Sequence, residues 1–213
     1  MLISVTISGI RPLILDAFSE EALLKGKGGK STAQPKELSP LDQAKRRLYY
    51  NGDGTDVPIF PADNLLSCII AAGRFIKVGK RQLTTRDSTT VTSFLQISEL
   101  YLPIRSIDGW RVDSRSIVNP STKGRHICYR PIFDDWELDF TLDIDTNEAS
   151  DSLVRQLIDR AGRFIGIGVM RPERKRQYGQ YVVRCWDCRS EHEELDNIPK
   201  LAKKTKTRSK ELV

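Results

Sequence analysis

Histidine is nearly absent from this 213-residue chain, which holds His126 and His192 and no other. Histidine is the side chain whose ordinary pKa lies near neutrality, so its scarcity leaves little room for acid–base catalysis there. His126, in KGRHICYRP, is flanked by basic residues and fits a general acid or base, a contact to an anion, or an ordinary surface residue. Cysteine is scarce as well. Cys68, Cys128, Cys185 and Cys188 lack the dense spacing of a disulfide scaffold, which suits a reducing compartment. Cys185 and Cys188 form a C-x-x-C with His192 shortly after. A structural zinc site wants four ligands, and the second regularly spaced pair is missing, so no metal is expected. No apolar run approaches the roughly 18 residues of a membrane span, and the opening MLISVTISGI has no basic leader before Arg11-Pro12. The expectation is a cytoplasmic protein without membrane contact.

One stretch also lacks acid. From Arg163 to Arg184 six basic residues face the single acid Glu173, a local balance of +5 within a net charge of +6. The remainder of the chain is close to neutral. A basic surface drawn from one segment argues for a localised polyanion site rather than for general stickiness. The segment reads GRFIGIGVMRPERKRQYGQYVVR, in which Gly166, Gly168 and Gly179 bracket Arg171, Arg174, Lys175, Arg176 and Tyr178. Glycine permits positive φ and close backbone approach, so the loop amides are expected to face phosphates while the cations neutralise them.

The length and a 39% hydrophobic content suit one elaborated domain, taken as 1–190, with insertions at about 17–57 and 80–130 and a charged, flexible tail at 191–213. Residues 2–8, LISVTIS, alternate as a half-buried strand. The insertion after it is rich in glycine, proline and lysine and holds a short helix over 41–50 that carries Lys45 and Arg46. Its GKGGKS run lacks the spacing and the strand–helix context of a phosphate-binding loop, so no nucleotide cofactor is expected. At 58–77, PIFPADNLLSCIIAAGRFIK, Asp63 or Asn64 can cap a helix with Leu65, Leu66, Ile69, Ile70 and Phe75 on one side and Arg74 near its end. Cys68 sits in this apolar run as a core residue.

Lys77, Lys80 and Arg81 follow in a polar stretch, and 91–104 is expected as a strand. Residues 106–130 form a second excursion, turning at Asp108-Gly109 and carrying Arg125 and Arg130. From Pro131 to Asp145 a strand buries Trp136, Leu138, Phe140, Leu142 and Ile144 and turns Asp139, Asp143 and Asp145 outward. That acidic row fits a solvated face, a magnesium site, or a contact to the basic loop of a neighbouring copy. A helix over 151–164, capped by Ser150 or Asp151, and a last strand over 180–186 complete the pattern.

The order of strand, helix, strand, excursion, strand, helix and strand is α+β, a ferredoxin-like (RNA-recognition type) core with large insertions after strand 1 and between the middle strands. The loop GIGVMRPERKRQYGQYVV resembles the glycine-rich loop near the end of the RAMP superfamily, the repeat-associated proteins of CRISPR effector complexes and their compact phage-encoded relatives. IFPADNLLSCIIAAGR resembles that family's proline-led helix, and ISVTISGIRPLIL its first strand. The resemblance implies a backbone subunit that polymerises along a guide RNA, with 106–130 as a thumb and 17–57 as a web or finger facing the strand. Ala62, Asp63, Asn64 and Leu65 stand where guide-RNA members carry a serine-leucine-lysine-glycine pattern. Family members that cut RNA use an aspartate before this helix, but nothing singles out Asp42, Asp53 or Asp56, and that activity is not carried over.

A non-enzymatic binder of single-stranded RNA or DNA that self-associates is thus expected, with no cofactor. Lys45, Arg46, Arg74, Lys77, Lys80, Arg81, Arg125 and Arg130 would join the loop residues in binding. Tyr178, Tyr181, Phe164 or Trp110 would stack bases, although Phe164 also falls on the core stripe of its helix. A phage single-stranded DNA-binding protein and a RAMP-type endoribonuclease remain the alternatives.

Overall fold

A computed structural model of the chain describes residues 1–17, 38–52, 54–118 and 123–189; the GKGGKS run, Asp53, His192 and the charged tail lie outside the described residues. In chain order the elements are β1 (Leu2–Gly9), β2 (Leu13–Ile14), α1 (Pro40–Lys45), β3 (Tyr49–Tyr50), β4 (Pro58–Pro61), α2 (Ala62–Ala72), β5 (Lys77–Val78) and β6 (Arg81–Gln82). They continue as α3 (Val91–Phe94), β7 (Leu95–Ile97), β8 (Tyr101–Pro103), β9 (Arg111–Val118), β10 (Arg125–Phe133), β11 (Glu137–Ile144), α4 (Asp151–Arg160) and β12 (Tyr181–Arg189). Single 3₁₀ turns lie at Gly73–Phe75 and Pro172–Arg174, and a π turn at Ala161–Ile165.

The architecture is α+β, with several antiparallel sheets and few helices. Four strands form the largest sheet in the order β12-β1-β11-β7, every pair antiparallel. Strict alternation sets its faces. Ile3, Val5 and Ile7 of β1 and Leu138, Phe140, Leu142 and Ile144 of β11 are buried in one cluster with Leu65 and Ile69 of α2 and Val154, Leu157 and Ile158 of α4. Both helices therefore cover the same face. The opposite face carries Thr6 and the exposed Asp139 and Asp143. A second sheet, β2-β10-β9, is built on the long β9–β10 hairpin, and a third, β3-β4-β8, leads into α2. Among the described residues no helix is long and apolar enough to cross a membrane.

Several local expectations are corrected. The helix expected over 41–50 stops at Lys45, because Tyr49 and Tyr50 pair with Ile59 and Pro58. Asp63 and Asn64 do not cap α2. Pro61 takes the cap position without a side-chain bond, and the Ala62 amide donates to the Leu100 carbonyl (3.0 Å). Ser150 does cap α4, its hydroxyl accepting from the Leu153 amide at 3.3 Å. The single strand expected over 91–104 is a helical turn and two strands in different sheets. Ser98 donates to the Thr141 carbonyl and the Glu99 carboxylate then takes the Thr141 amide (2.8 Å), which ends the ladder after β7.

The expected strand from Pro131 to Asp145 is also broken, at Asp134-Asp135-Trp136, where β10 leaves one sheet and β11 enters another. Trp136 anchors this corner. It is 2% exposed, and its indole Nε1 donates to the Arg11 carbonyl at 2.9 Å.

The turn from α4 to β12 is equally tight, since a β-carbon on Gly162 would collide with the Tyr181 carbonyl oxygen. Gly162→Ala is expected to lower stability by about 1–3 kcal/mol, the usual cost of overpacking. A urea midpoint shifted down with an unchanged slope would show it; an unchanged midpoint would refute it.

Candidate nucleic-acid interface

The loop begins with a change of helical register. After α4 the Gly166 amide donates to the Ala161 carbonyl (2.8 Å), closing a π turn that adds one residue to the last helical turn. The extra residue moves Ile165 into the core at 3% exposure and rotates Phe164 outward to 50%. The sequence spacing, which assumed an unbroken α-helix, put Phe164 on the buried stripe.

Beyond this turn the chain folds back on itself. Gly168 has φ +72°, and a β-carbon there would lie 2.5 Å from the Ile14 carbonyl oxygen. Gly179 has φ +66°, and a β-carbon would overlap the Ile167 carbonyl oxygen. The Ile167 amide donates to Gly179 (2.9 Å), Val169 to Ile14 (3.0 Å), Gly179 to Pro12 (2.8 Å) and Tyr178 to Met170 (3.1 Å). The expectation that these amides face phosphates is therefore corrected. They bind the loop to its own chain, and the glycines serve close packing of backbone on backbone.

What the loop offers outward is its cations. Arg174, Lys175 and Arg176 are exposed and make no side-chain hydrogen bond or ion pair among the described residues. Arg174 borders a cleft of about 460 Å³ between the loop and α2, whose walls include Asn64 and Ser67 and the backbone from Gly166 to Val169. Lys175 and Arg176 line a groove of about 350 Å³ with Arg11, Pro12 and Tyr178. The exposed Arg11 was not among the residues expected from sequence, hidden by its distance along the chain from the loop it joins. Arg171 behaves differently. Its Nη1 donates to the Gly168 carbonyl at 3.0 Å, and its Nε and Nη2 donate to Glu173 at 3.1 and 2.8 Å. Glu173 also accepts from Arg74 Nη2 at 3.0 Å. Desolvation pushes the Glu173 carboxyl up, but the bonds and charges of Arg171 and Arg74 outweigh it and hold it below its ordinary value.

Arg74 links the loop to a second group of cations. The Gln82 side chain donates to its carbonyl (2.9 Å), so the β5–β6 hairpin, with Lys77, Lys80 and Arg81 exposed, adjoins the loop. Lys45 and Arg46 are exposed on or just after α1, which packs on β9 and β10, and Arg125 is exposed at the start of β10. Arg130, expected as a free cation, is mostly buried in an internal ion pair. Its Nε donates to Asp16 at 2.8 Å, Arg47 takes the other oxygen of the same carboxylate, and the Arg130 side chain is only 12% exposed. Position along β10 suggested a free cation; the partner comes from a distant segment.

The aromatic candidates separate in the same way. Tyr181 is 1% exposed and cannot stack a base. Its buried hydroxyl has no hydrogen-bond partner among the described residues, and burial pushes the Cys68 thiol up to about 12. Trp110 packs against the core. The Tyr178 ring is covered by the Arg115 guanidinium at 4.5 Å, which also donates to its hydroxyl and is held by Asp113 (2.6 Å). Phe164 is the ring left open, and it lies 5.2 Å from Phe75, which is 47% exposed. That pair was invisible in the sequence because both residues read as core positions of regular helices.

The outward acidic row is occupied by intramolecular partners. Asp139 accepts from Thr6 (2.7 Å) and pairs with Arg105 (2.6 Å), while Asp143 lies 3.5 Å from the amino terminus. Among the described residues no cluster of three or more His, Cys, Asp or Glu is placed to hold a metal ion.

No protein-family model matches the chain, and no curated protein matches it. Among solved structures the chain is similar to a chain in the cryo-EM structure of the Type III-B Cmr-beta bound to cognate target RNA, with 13% sequence identity and a TM-score of 0.49. The likeness covers 87% of this chain and 59% of that chain.

The two kinds of arginine predict different phenotypes. Arg130→Gln leaves the half-buried Asp16 short of one partner and is expected to cost about 1–3 kcal/mol of stability. Arg174→Gln on the exposed turn is expected to stay within about 0.5 kcal/mol of wild type. Chemical denaturation of both variants separates them, and equal stabilities would refute the assignment.

Proposed function

We propose that this protein is a single-stranded nucleic-acid-binding subunit that assembles side by side along RNA, as a RAMP-type backbone subunit of a CRISPR-type ribonucleoprotein. The observation that carries the reading is the set of exposed, unpaired cations Arg174, Lys175 and Arg176 on a loop locked to the fold by its glycines. A rigid mount lowers the ordering cost of gripping a flexible strand. Phosphates are the ligand such a set suits, because each neutralised phosphate releases counterions.

The sheet order supports a ferredoxin-like core. Counting only the strands of the main sheet, the order is fourth, first, third, second, with a core helix after the first and after the third. The strand is proposed to run over the loop and the β5–β6 hairpin rather than across the open sheet face. On that face Glu137, Asp139 and Asp143 already engage Arg105, Arg184 and the amino terminus, so its cations are committed to internal carboxylates. The exposed Phe164 and Phe75 rings offer a stacking position, an interaction worth about 1–3 kcal/mol per base in such systems. Binding rather than cleavage is the proposed role. His126 is exposed on β10, and among the described residues no carboxylate or other base is bonded to it.

The test is the triple variant Arg174→Gln, Lys175→Gln and Arg176→Gln, titrated with fluorescent oligoribonucleotides and oligodeoxyribonucleotides of several sequences over a range of salt. Affinity should fall alike for all sequences. The slope of log K against log salt should shrink by about 2, since each single-strand phosphate that is no longer neutralised takes roughly 0.7 from it. A wild-type protein that binds no single strand at low salt, or a variant with the wild-type slope, defeats the reading. Tighter binding of the oligodeoxyribonucleotides would favour the single-stranded DNA alternative over dedicated RNA assembly.

A further inference from the structure

Glu173 is the lone carboxylate between Arg163 and Arg184, and it does not point away from the cations around it. Its two oxygens are divided between two guanidiniums: Oε2 accepts from Arg171 Nε and Nη2 at 3.1 and 2.8 Å, and Oε1 accepts from Arg74 Nη2 at 3.0 Å. Two oxygens of one anion shared by two arginines is also the way the non-bridging oxygens of a phosphodiester are held. The trio opens onto solvent. Arg74 is 50% exposed and the side chains of Arg171 and Glu173 are 28% and 26% exposed. Arg171 and Glu173 line the same cleft as Ser67 and Asn64 of α2.

We propose that Glu173 is a built-in surrogate for a backbone phosphate: in the free protein its carboxylate holds Arg74 and Arg171, and a phosphodiester of the incoming strand takes its place. This inference rests on the single-strand-binding reading above. Arg171 has an anchor independent of Glu173 and stays in position when the carboxylate leaves, whereas the Arg74 guanidinium, bonded among the described residues to Glu173 alone, transfers its bond from the carboxylate to the phosphate. Arg171 keeps its Nη1 bond to the Gly168 carbonyl, while the bond from Gln82 to the Arg74 carbonyl fixes only the main chain from which the Arg74 side chain reaches the site. The Arg171 guanidinium also retains two donors, Nε and Nη2, facing the vacated site.

The exchange has two consequences. The free protein does not leave two converging arginines unpaired, which reduces binding to other anions and lowers affinity for the strand by the cost of releasing Glu173. The strand meets a site that is already shaped for an anion, since the geometry of the two guanidiniums is set before binding. Glu173 thus weakens binding while preserving the shape of the site. A simple clamp, in which Glu173 organises arginines that would otherwise scatter, makes the opposite prediction.

The experiment measures the affinity of wild type, Glu173→Gln, Arg74→Gln/Arg171→Gln and the triple combination for a fluorescent oligouridylate by anisotropy, at several salt concentrations. Glu173→Gln is expected to bind on the order of tenfold tighter at low salt, with a steeper salt dependence, because two guanidiniums no longer neutralised by a carboxylate become available to phosphate. In the background lacking both arginines the same substitution should change nothing. A Glu173→Gln variant that binds as wild type or more weakly overturns the surrogate role while leaving the binding function intact. A gain that persists without the arginines also overturns it, since it would reflect net charge alone. If neither wild type nor Glu173→Gln binds the strand, the binding function itself fails and the inference falls with it. Thermal melting of each variant confirms that the fold is retained, and Glu173→Ser repeats the charge removal should the glutamine variant not fold.

Discussion

The carbonyl oxygen of Ile167 occupies the space that a β-carbon on residue 179 would need, and the basic loop depends on that close approach. The two ends of the loop are joined there by the bond from the Ile167 amide to the Gly179 carbonyl, and the Gly179 amide continues to Pro12. Val169 reaches Ile14 in the same way, so the loop is tied to β2 and through it to the sheet of β9 and β10. A side chain at 168 or 179 would force these backbones apart, because backbone atoms cannot yield as the end of a flexible side chain can. The exposed cations between the two anchor points are therefore carried on a rigid base.

Around this base, the charge is sorted by burial. Cations whose partners come from distant segments are structural: Arg130 and Arg47 on Asp16, and Arg115 between Asp113 and Tyr178. Cations on the outer turn have no such partners and remain available to a ligand. Between these groups stand Arg171 and Arg74, half-exposed and sharing Glu173. Coulomb attraction among partly desolvated groups is strong enough to hold that trio, yet its exposure keeps it within reach of a competing anion. The local balance of +5 read along the segment thus overstates the charge presented to a partner.

Much of the fold was legible because alternation is a local property. LISVTIS and ELDFTLDI show their buried and exposed faces residue by residue, and Ser150 announces the start of α4. Boundaries were less legible where a partner decides them. Nothing in 91–104 reveals that Glu99 will end one ladder by capping Thr141, and nothing in 131–145 reveals that the chain changes sheet at Trp136. The π turn is the sharpest case. Spacing on a 3.6-residue helix assigned Phe164 to the core, whereas the inserted residue gave that position to Ile165 and left Phe164 beside Phe75 at the surface.

By itself the sequence determined the α+β composition, the core faces of the long strands and helices, and the concentration of positive charge between Arg163 and Arg184. These follow from residue type and period, which need no knowledge of what lies across the fold. Only the tertiary structure decided that the glycines pack against the protein's own carbonyls and that Tyr181 is buried. It likewise decided that Arg130 is spoken for by Asp16 and that Glu173 draws Arg74 to the loop from 99 residues away. Each of these is an interaction between segments remote in sequence, and availability for binding is set by such interactions rather than by the identity of the residue.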